Sequence, residues 1–126
     1  GEQIEVRFAS WSILPALPLY FFSAFLQEAF FQWYLVGRLR VGFPNASQRV
    51  LAIVNGVFFG LVHIPMGDPI LVLLTATGGA VWTEAYLRGR SLLPVAFSHV
   101  LLGATYFYWV RGEDKLFEVI RELGVR

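Results

Sequence analysis

Four long apolar runs, separated by short polar corners, set the plan of this chain. The first runs from Leu14 to Val36, with Pro15 and Pro18 near its start and Gln27, Glu28 and Gln32 inside it. A loop holding Arg38, Arg40, Gly42, Pro44, Asn45 and Arg49 leads to the second run, Val50 to Ile64, with Ser47 as an N-cap candidate. Pro65, Gly67, Asp68 and Pro69 predict a tight turn. The third run spans Ile70 to Leu87, and the charged corner Arg88-Gly89-Arg90 opens the fourth, Leu92 to Val110. From Arg111 to Arg126, Leu116, Phe117, Val119, Ile120 and Leu123 recur on helical spacing among charges. That spacing predicts a short amphipathic helix on the surface or the membrane interface.

The first, third and fourth runs have the ~20 residues needed to cross ~30 Å of hydrocarbon. Strands are disfavoured, because an open sheet would leave edge amides unpaired in lipid. The expected fold is all-α: one polytopic transmembrane bundle over residues 1–126, with about four spanning helices and the amphipathic C-terminal helix. Composition agrees with a chain whose solvent is the bilayer. Mean hydropathy is +0.59, 56% of residues are hydrophobic and 15% are charged, where a soluble domain carries about 25% charge. A net charge of +1 without a basic stripe argues against a nucleic-acid partner. The lack of cysteine removes disulfides, thiolate metal sites and a cysteine nucleophile. Gly1 to Ser10 carries no signal-peptide pattern, and a start without Met suggests a trimmed segment. No feature speaks to an oligomeric state.

Arginines fall on one side. Loops 37–49 and 88–91 carry Arg38, Arg40, Arg49, Arg88 and Arg90, while the opposite turn carries Asp68. The positive-inside rule puts those two loops in the cytoplasm, for a multi-pass protein of a cell or inner membrane. Trp11, Trp33, Trp82, Tyr86, Tyr108 and Trp109 lie near expected helix ends and read as interface anchors.

Three ionisable groups inside the apolar runs carry the functional interest: Glu28, His63 and His99. Each costs ~2.5 kcal/mol or more in hydrocarbon without a partner, so three on separate helices invite convergence on one polar site. Glu28 shares a helix face with Gln32, Phe59 with His63, and His99 with Gly103, each pair four residues apart. Gln27 and Gln32 read as interhelical hydrogen-bonders, Glu84 as a partner of Arg88, and Asp68 as a solvated turn residue. Small residues such as Gly78 and Gly79 admit a close neighbouring backbone. Two chemistries suit a carboxylate and two imidazoles. A glutamate can take a proton from water while a histidine orients the water or supports an oxyanion. Alternatively, Glu28, His63 and His99 form the three-ligand set of an open zinc site, which no HExxH spacing supports. No cofactor is therefore favoured. Depth is a difficulty: with ~1.5 Å rise per residue, His63 lies about 20 Å from Val50 and His99 about 10 Å from Leu92.

The stretches Gln27-Glu28-Ala29-Phe30-Phe31-Gln32, Phe59-Gly60-Leu61-Val62-His63 and His99-Val100-Leu101-Leu102-Gly103 resemble the CPBP family of intramembrane endopeptidases. That family has a Glu-Glu-x-x-x-Arg helix, then Phe-x-x-x-His, then His-x-x-x-Asn; the resemblance covers about residues 25–105. It implies an endopeptidase cutting a membrane-associated or lipidated protein or peptide at the bilayer. The same resemblance implies Glu28, His63 and His99 as catalytic, with Gln27, Gln32, Phe59 and Gly103 supporting. Gln27 replaces the first glutamate, Gln32 the arginine and Gly103 the asparagine. The base is then expected to be Glu28, with His63 placing the water and His99 stabilising the oxyanion. The alternative is a catalytically degenerate relative that binds or helps assemble a partner helix or peptide.

Overall fold

A computed structural model describes residues 14–15 and 17–110, and the described residues are helical throughout apart from short turns. Helix α1 (Leu17–Glu28) continues through a π-helical segment, Ala29–Leu35, into α2 (Val36–Gly42). The remaining helices are α3 (Gln48–Leu61), α4 (Pro69–Gly89) and α5 (Leu92–Ala104). A second π segment, Thr105–Val110, extends α5. The expected C-terminal amphipathic helix lies outside the described residues.

Helix ends follow local chemistry. Ser47 caps α3, its hydroxyl accepting the Val50 N–H at 3.2 Å. Asp68 caps α4, one carboxylate oxygen accepting from the N–H groups of Ile70 (3.0 Å) and Leu71 (3.3 Å). Pro69 behind it starts the helix at a position where a missing N–H costs nothing. The first helical rod runs on to Gly42, where the sequence pattern ended it at Val36. No breaker stands between those residues, and the exposed Arg38 and Arg40 keep their head groups at the surface.

Helices α3 and α4 form a tightly knit antiparallel pair. A Cβ on Gly56 would stand 2.8 Å from the Ala80 Cβ, and one on Gly60 would stand 2.7 Å from the Ala76 Cβ. Gly79 in turn faces Phe59, whose Cβ would come within 2.8 Å of an added methyl. The backbones therefore meet at these small residues, which let neighbouring helices approach closely. Helix α1 packs chiefly against α5, while α4 and α5 touch only sparingly. One core cluster joins Phe31, Phe59, Trp82 and Val95; a second joins Val36, Leu51 and Leu87.

Of the expected crossings, Gln48–Met66 and Pro69–Gly89 are long and apolar enough to span a bilayer. Leu92–Tyr108 is apolar but shorter, and the first rod is split by its π segment. Outward faces are apolar: Phe22, Trp33 and Leu73 are 63, 70 and 68% exposed. Arg38, Arg40, Arg49, Arg88 and Arg90 are exposed. The antiparallel register of α3 and α4 puts the loop before α3 and the corner after α4 at one end. Arg88 pairs with Glu84 as its spacing predicts. Trp82 does not anchor an interface: it is 7% exposed, because it faces α5 from the middle of the bundle.

Candidate active site

Glu28 is fully buried at the junction of α1 and the first π segment. Its two carboxylate oxygens are separately engaged. Oε1 lies 2.8 Å from His99 Nδ1, and Oε2 accepts from Gln32 Nε2 at 3.0 Å. The i to i+4 spacing brings Gln32 back onto Glu28, and α1–α5 packing brings His99. π turns recur at functional sites because they re-aim side chains that an α-helix would stagger.

Gln32 then reaches across to α3, where Asn55 Nδ2 donates to its Oε1 at 3.3 Å. Asn55 Nδ2 also donates to Thr83 Oγ1 on α4 at 2.8 Å, and the Thr83 hydroxyl donates to the Gly79 carbonyl at 2.7 Å. Gln32, Asn55 and Thr83 are all fully buried. Among the described residues, Asn55 Oδ1 is the buried side-chain oxygen left without a donor.

His63 lies two residues beyond the end of α3, and its Nδ1 lies 2.7 Å from the Phe59 carbonyl. A carbonyl only accepts, so Nδ1 bears the proton and Nε2 is left for the cavity. Aromatic rings fix both imidazoles. Phe59, fully buried, stacks on His63 at 5.4 Å and meets His99 edge-on at 5.5 Å. Trp82 stacks on His99 with centroids 4.5 Å apart and donates its indole N–H to Ser98 Oγ at 3.2 Å.

Both histidines line two cavities. One, of about 280 Å3, lies between α4 and α5 and is bounded by Leu71, Thr75, Gly78 and Tyr106. The other, of about 250 Å3, lies between α1 and α5 and includes Ser23, Gln27 and Met66. Gly103 borders both, and a Cβ there would meet nothing nearer than His99 Cδ2 at 4.0 Å. The depth difficulty is met because His63 sits in the turn beyond α3 while His99 sits mid-helix, and the two still share these walls.

Gln32 hydrogen-bonds between helices, as its burial in an apolar run suggests. Gln27 does not: its amide donates to Ser23 on its own helix at 3.2 Å. Asp68 is 9% exposed and also accepts from the Tyr106 hydroxyl at 2.5 Å, so it is a buried linker, not a solvated residue. Sequence reading missed Asn55 and Thr83. The available signal was Asn55, Phe59 and His63 at successive i+4 steps on one face of α3. Among the described residues, no three His, Cys, Asp or Glu side chains come together as a metal site.

No curated protein and no solved structure matches the chain. Residues 9–105, well over half of it, match the Rce1-like family of type II CAAX prenyl endopeptidases. A buried acid on the first rod and two half-buried imidazoles, one in the turn after α3 and one on α5, lie within the matched residues. The chain belongs to the Rce1-like type II CAAX prenyl endopeptidase family.

Proposed function

We propose that the chain is an intramembrane endopeptidase that hydrolyses a peptide bond of a membrane-associated or lipidated protein or peptide. The Glu28–His99 hydrogen bond beside a cavity shared with His63 carries this reading. In this reading Glu28, fully buried with both oxygens engaged, orients the base, and His99 takes the role of base. A carboxylate accepting from Nδ1–H leaves His99 Nε2 with a free lone pair toward the cavity. That is the arrangement by which an acid fixes an imidazole tautomer.

In the reaction, His99 Nε2 takes a proton from water, and the water oxygen attacks the scissile carbonyl carbon. The tetrahedral intermediate collapses with the C–N bond breaking, and the proton held by His99 passes to the leaving nitrogen. His63, with Nδ1–H given to the Phe59 carbonyl, offers Nε2–H to the oxyanion when its ring is protonated. Gln27 supplies an amide that can donate to substrate but cannot take a proton. The Arg-bearing loops face the cytoplasm in this reading.

A second reading is favoured by Gln27 itself, an amide on the cavity wall where the family carries a glutamate: a degenerate relative that binds a partner helix or peptide. Purified protein in bilayers, assayed on membrane-anchored peptides, separates the two. Turnover by the native chain that falls ~100-fold or more in each of Glu28→Gln, His63→Ala and His99→Ala supports the peptidase. Full activity in any of the three ends it, and binding without cleavage by the native chain favours the second reading.

A further inference from the structure

We infer that Asn55 and Thr83 are positioning residues that set the direction of a buried hydrogen-bond chain ending on Glu28, and so hold the His99 imidazole with its proton on Nδ1. The chain runs from α4 through α3 to the first π segment and α5, and each link fixes the next. The Thr83 hydroxyl proton is spent on the Gly79 carbonyl, so Thr83 Oγ1 can only accept. Asn55 must therefore turn its NH2 group toward Thr83, and the same nitrogen reaches Gln32 Oε1. With its oxygen engaged by Asn55, Gln32 has its NH2 directed at Glu28 Oε2. An NH2 group there holds Oε2 as an acceptor and leaves Oε1 turned to His99. As a carboxylate oxygen, Oε1 accepts there from Nδ1–H of His99.

The bare Asn55 Oδ1 is the counterpart of this direction. An asparagine free to choose would not leave its oxygen bare; here two acceptors claim its nitrogen. Reversing the chain shows what is at stake. If Asn55 and Gln32 both turned, Gln32 Oε1 would face Glu28 Oε2, and two acceptors with no proton between them would push the carboxylate off its place. A displaced carboxylate no longer holds Nδ1–H on His99, and the tautomer with its lone pair on Nδ1 becomes accessible. In that tautomer Nε2 carries the proton and cannot take one from water. Two amides and a hydroxyl thus stand where the family motif has a cation, and they supply orientation in place of charge.

The rate consequence rests on the peptidase reading; the tautomer does not. The chain has two histidines, so 15N ring labelling of the purified protein in detergent or bilayers gives two sets of signals. In the native chain both show the Nδ1–H pattern. Asn55→Leu and Thr83→Val are expected to convert the His99 signals into a tautomer mixture, while His63, held by the Phe59 carbonyl, stays unchanged and reports that the fold is intact. Thr83→Ser keeps the hydroxyl and is expected to keep the native pattern. Turnover is expected to fall about tenfold or more in the first two variants at unchanged KM, within the range ascribed to proton-transfer groups. Native His99 signals in both folded variants overturn the inference. A tautomer change in a native chain that cleaves nothing upholds it and sinks the peptidase reading alone. Should Asn55→Leu fail to fold, the Thr83→Val and Thr83→Ser pair carries the test.

Discussion

Gly56→Ala is the most economical test of whether the α3–α4 contact positions the site. The added Cβ would lie 2.5 Å from the Ala76 carbonyl oxygen, 2.7 Å from the Ala80 nitrogen and 2.8 Å from the Ala80 Cβ. Ordinary contact begins at 3.4 Å, so the nearest atom must retreat by roughly 0.9 Å. Two of the three atoms are backbone, and no rotamer change relieves them; the helices must separate. Overpacking of this kind costs about 1–3 kcal/mol, and rigid opponents put it toward the upper end. Gly37→Ala on α2 is the reference, because a Cβ there meets nothing within 4 Å. Both substitutions gain the same helix-propensity term of about 0.5–1 kcal/mol, so it cancels in the comparison. The expected difference between the two is about 2–3 kcal/mol, read by equilibrium unfolding in mixed detergent or by lipid-bilayer denaturation. Function should suffer as well. Asn55 precedes Gly56, and its 2.8 Å bond to Thr83 crosses the same seam, where a displacement near 1 Å is enough to cost ~100-fold in rate. Equal stability of Gly56→Ala and Gly37→Ala would refute the claim that backbone contact sets this interface.

Tyr106→Phe removes the hydroxyl that donates to Asp68 at 2.5 Å. Bonds to charged partners are worth about 1.5–3 kcal/mol, and thermal unfolding should register a loss of that order. Asp68→Ala also loses the α4 cap, so it should cost more, by the ~1 kcal/mol of an N-cap, and the double variant should be less than additive. Gly103→Asn has room for its side chain, since the nearest atom to a Cβ is 4.0 Å away. It should leave stability within about 1 kcal/mol by the same unfolding assay and raise turnover by adding an oxyanion donor, whose removal elsewhere costs ~100-fold. Unchanged turnover in a stable Gly103→Asn protein would place the oxyanion away from this wall.

Much of the framework was legible because its causes are local. Ser47 before an apolar run, the Pro69 signal and Arg88 four residues after Glu84 each depend on neighbours in sequence, and the structure follows them. Asp68 was misread although its signal was present: a carboxylate immediately before a helix-starting proline is placed to cap, and capping drew it out of solvent. Trp82 was misread for a different reason. Position near a helix end suggests an anchor, but Gly79 lets α4 approach Phe59 so closely that the indole is turned into the bundle. That outcome depends on tertiary contact, which the periodicity of α4 alone does not encode.

The insertion cost of ionisable groups in hydrocarbon singled out Glu28, His63 and His99, and Glu28 and His99 do meet. It could not assign their roles, because cost is a property of one residue while role depends on which donors face it. A glutamate in an apolar helix reads as a base as long as its oxygens are free. Two donors, one from Gln32 on the same helical rod and one from His99 on α5, occupy both. The first is directed by an asparagine and a threonine too weakly polar to attract notice in sequence. In this reading basicity passes from the carboxylate to the imidazole it orients, and the loss of the neighbouring glutamate at Gln27 no longer implies loss of the reaction.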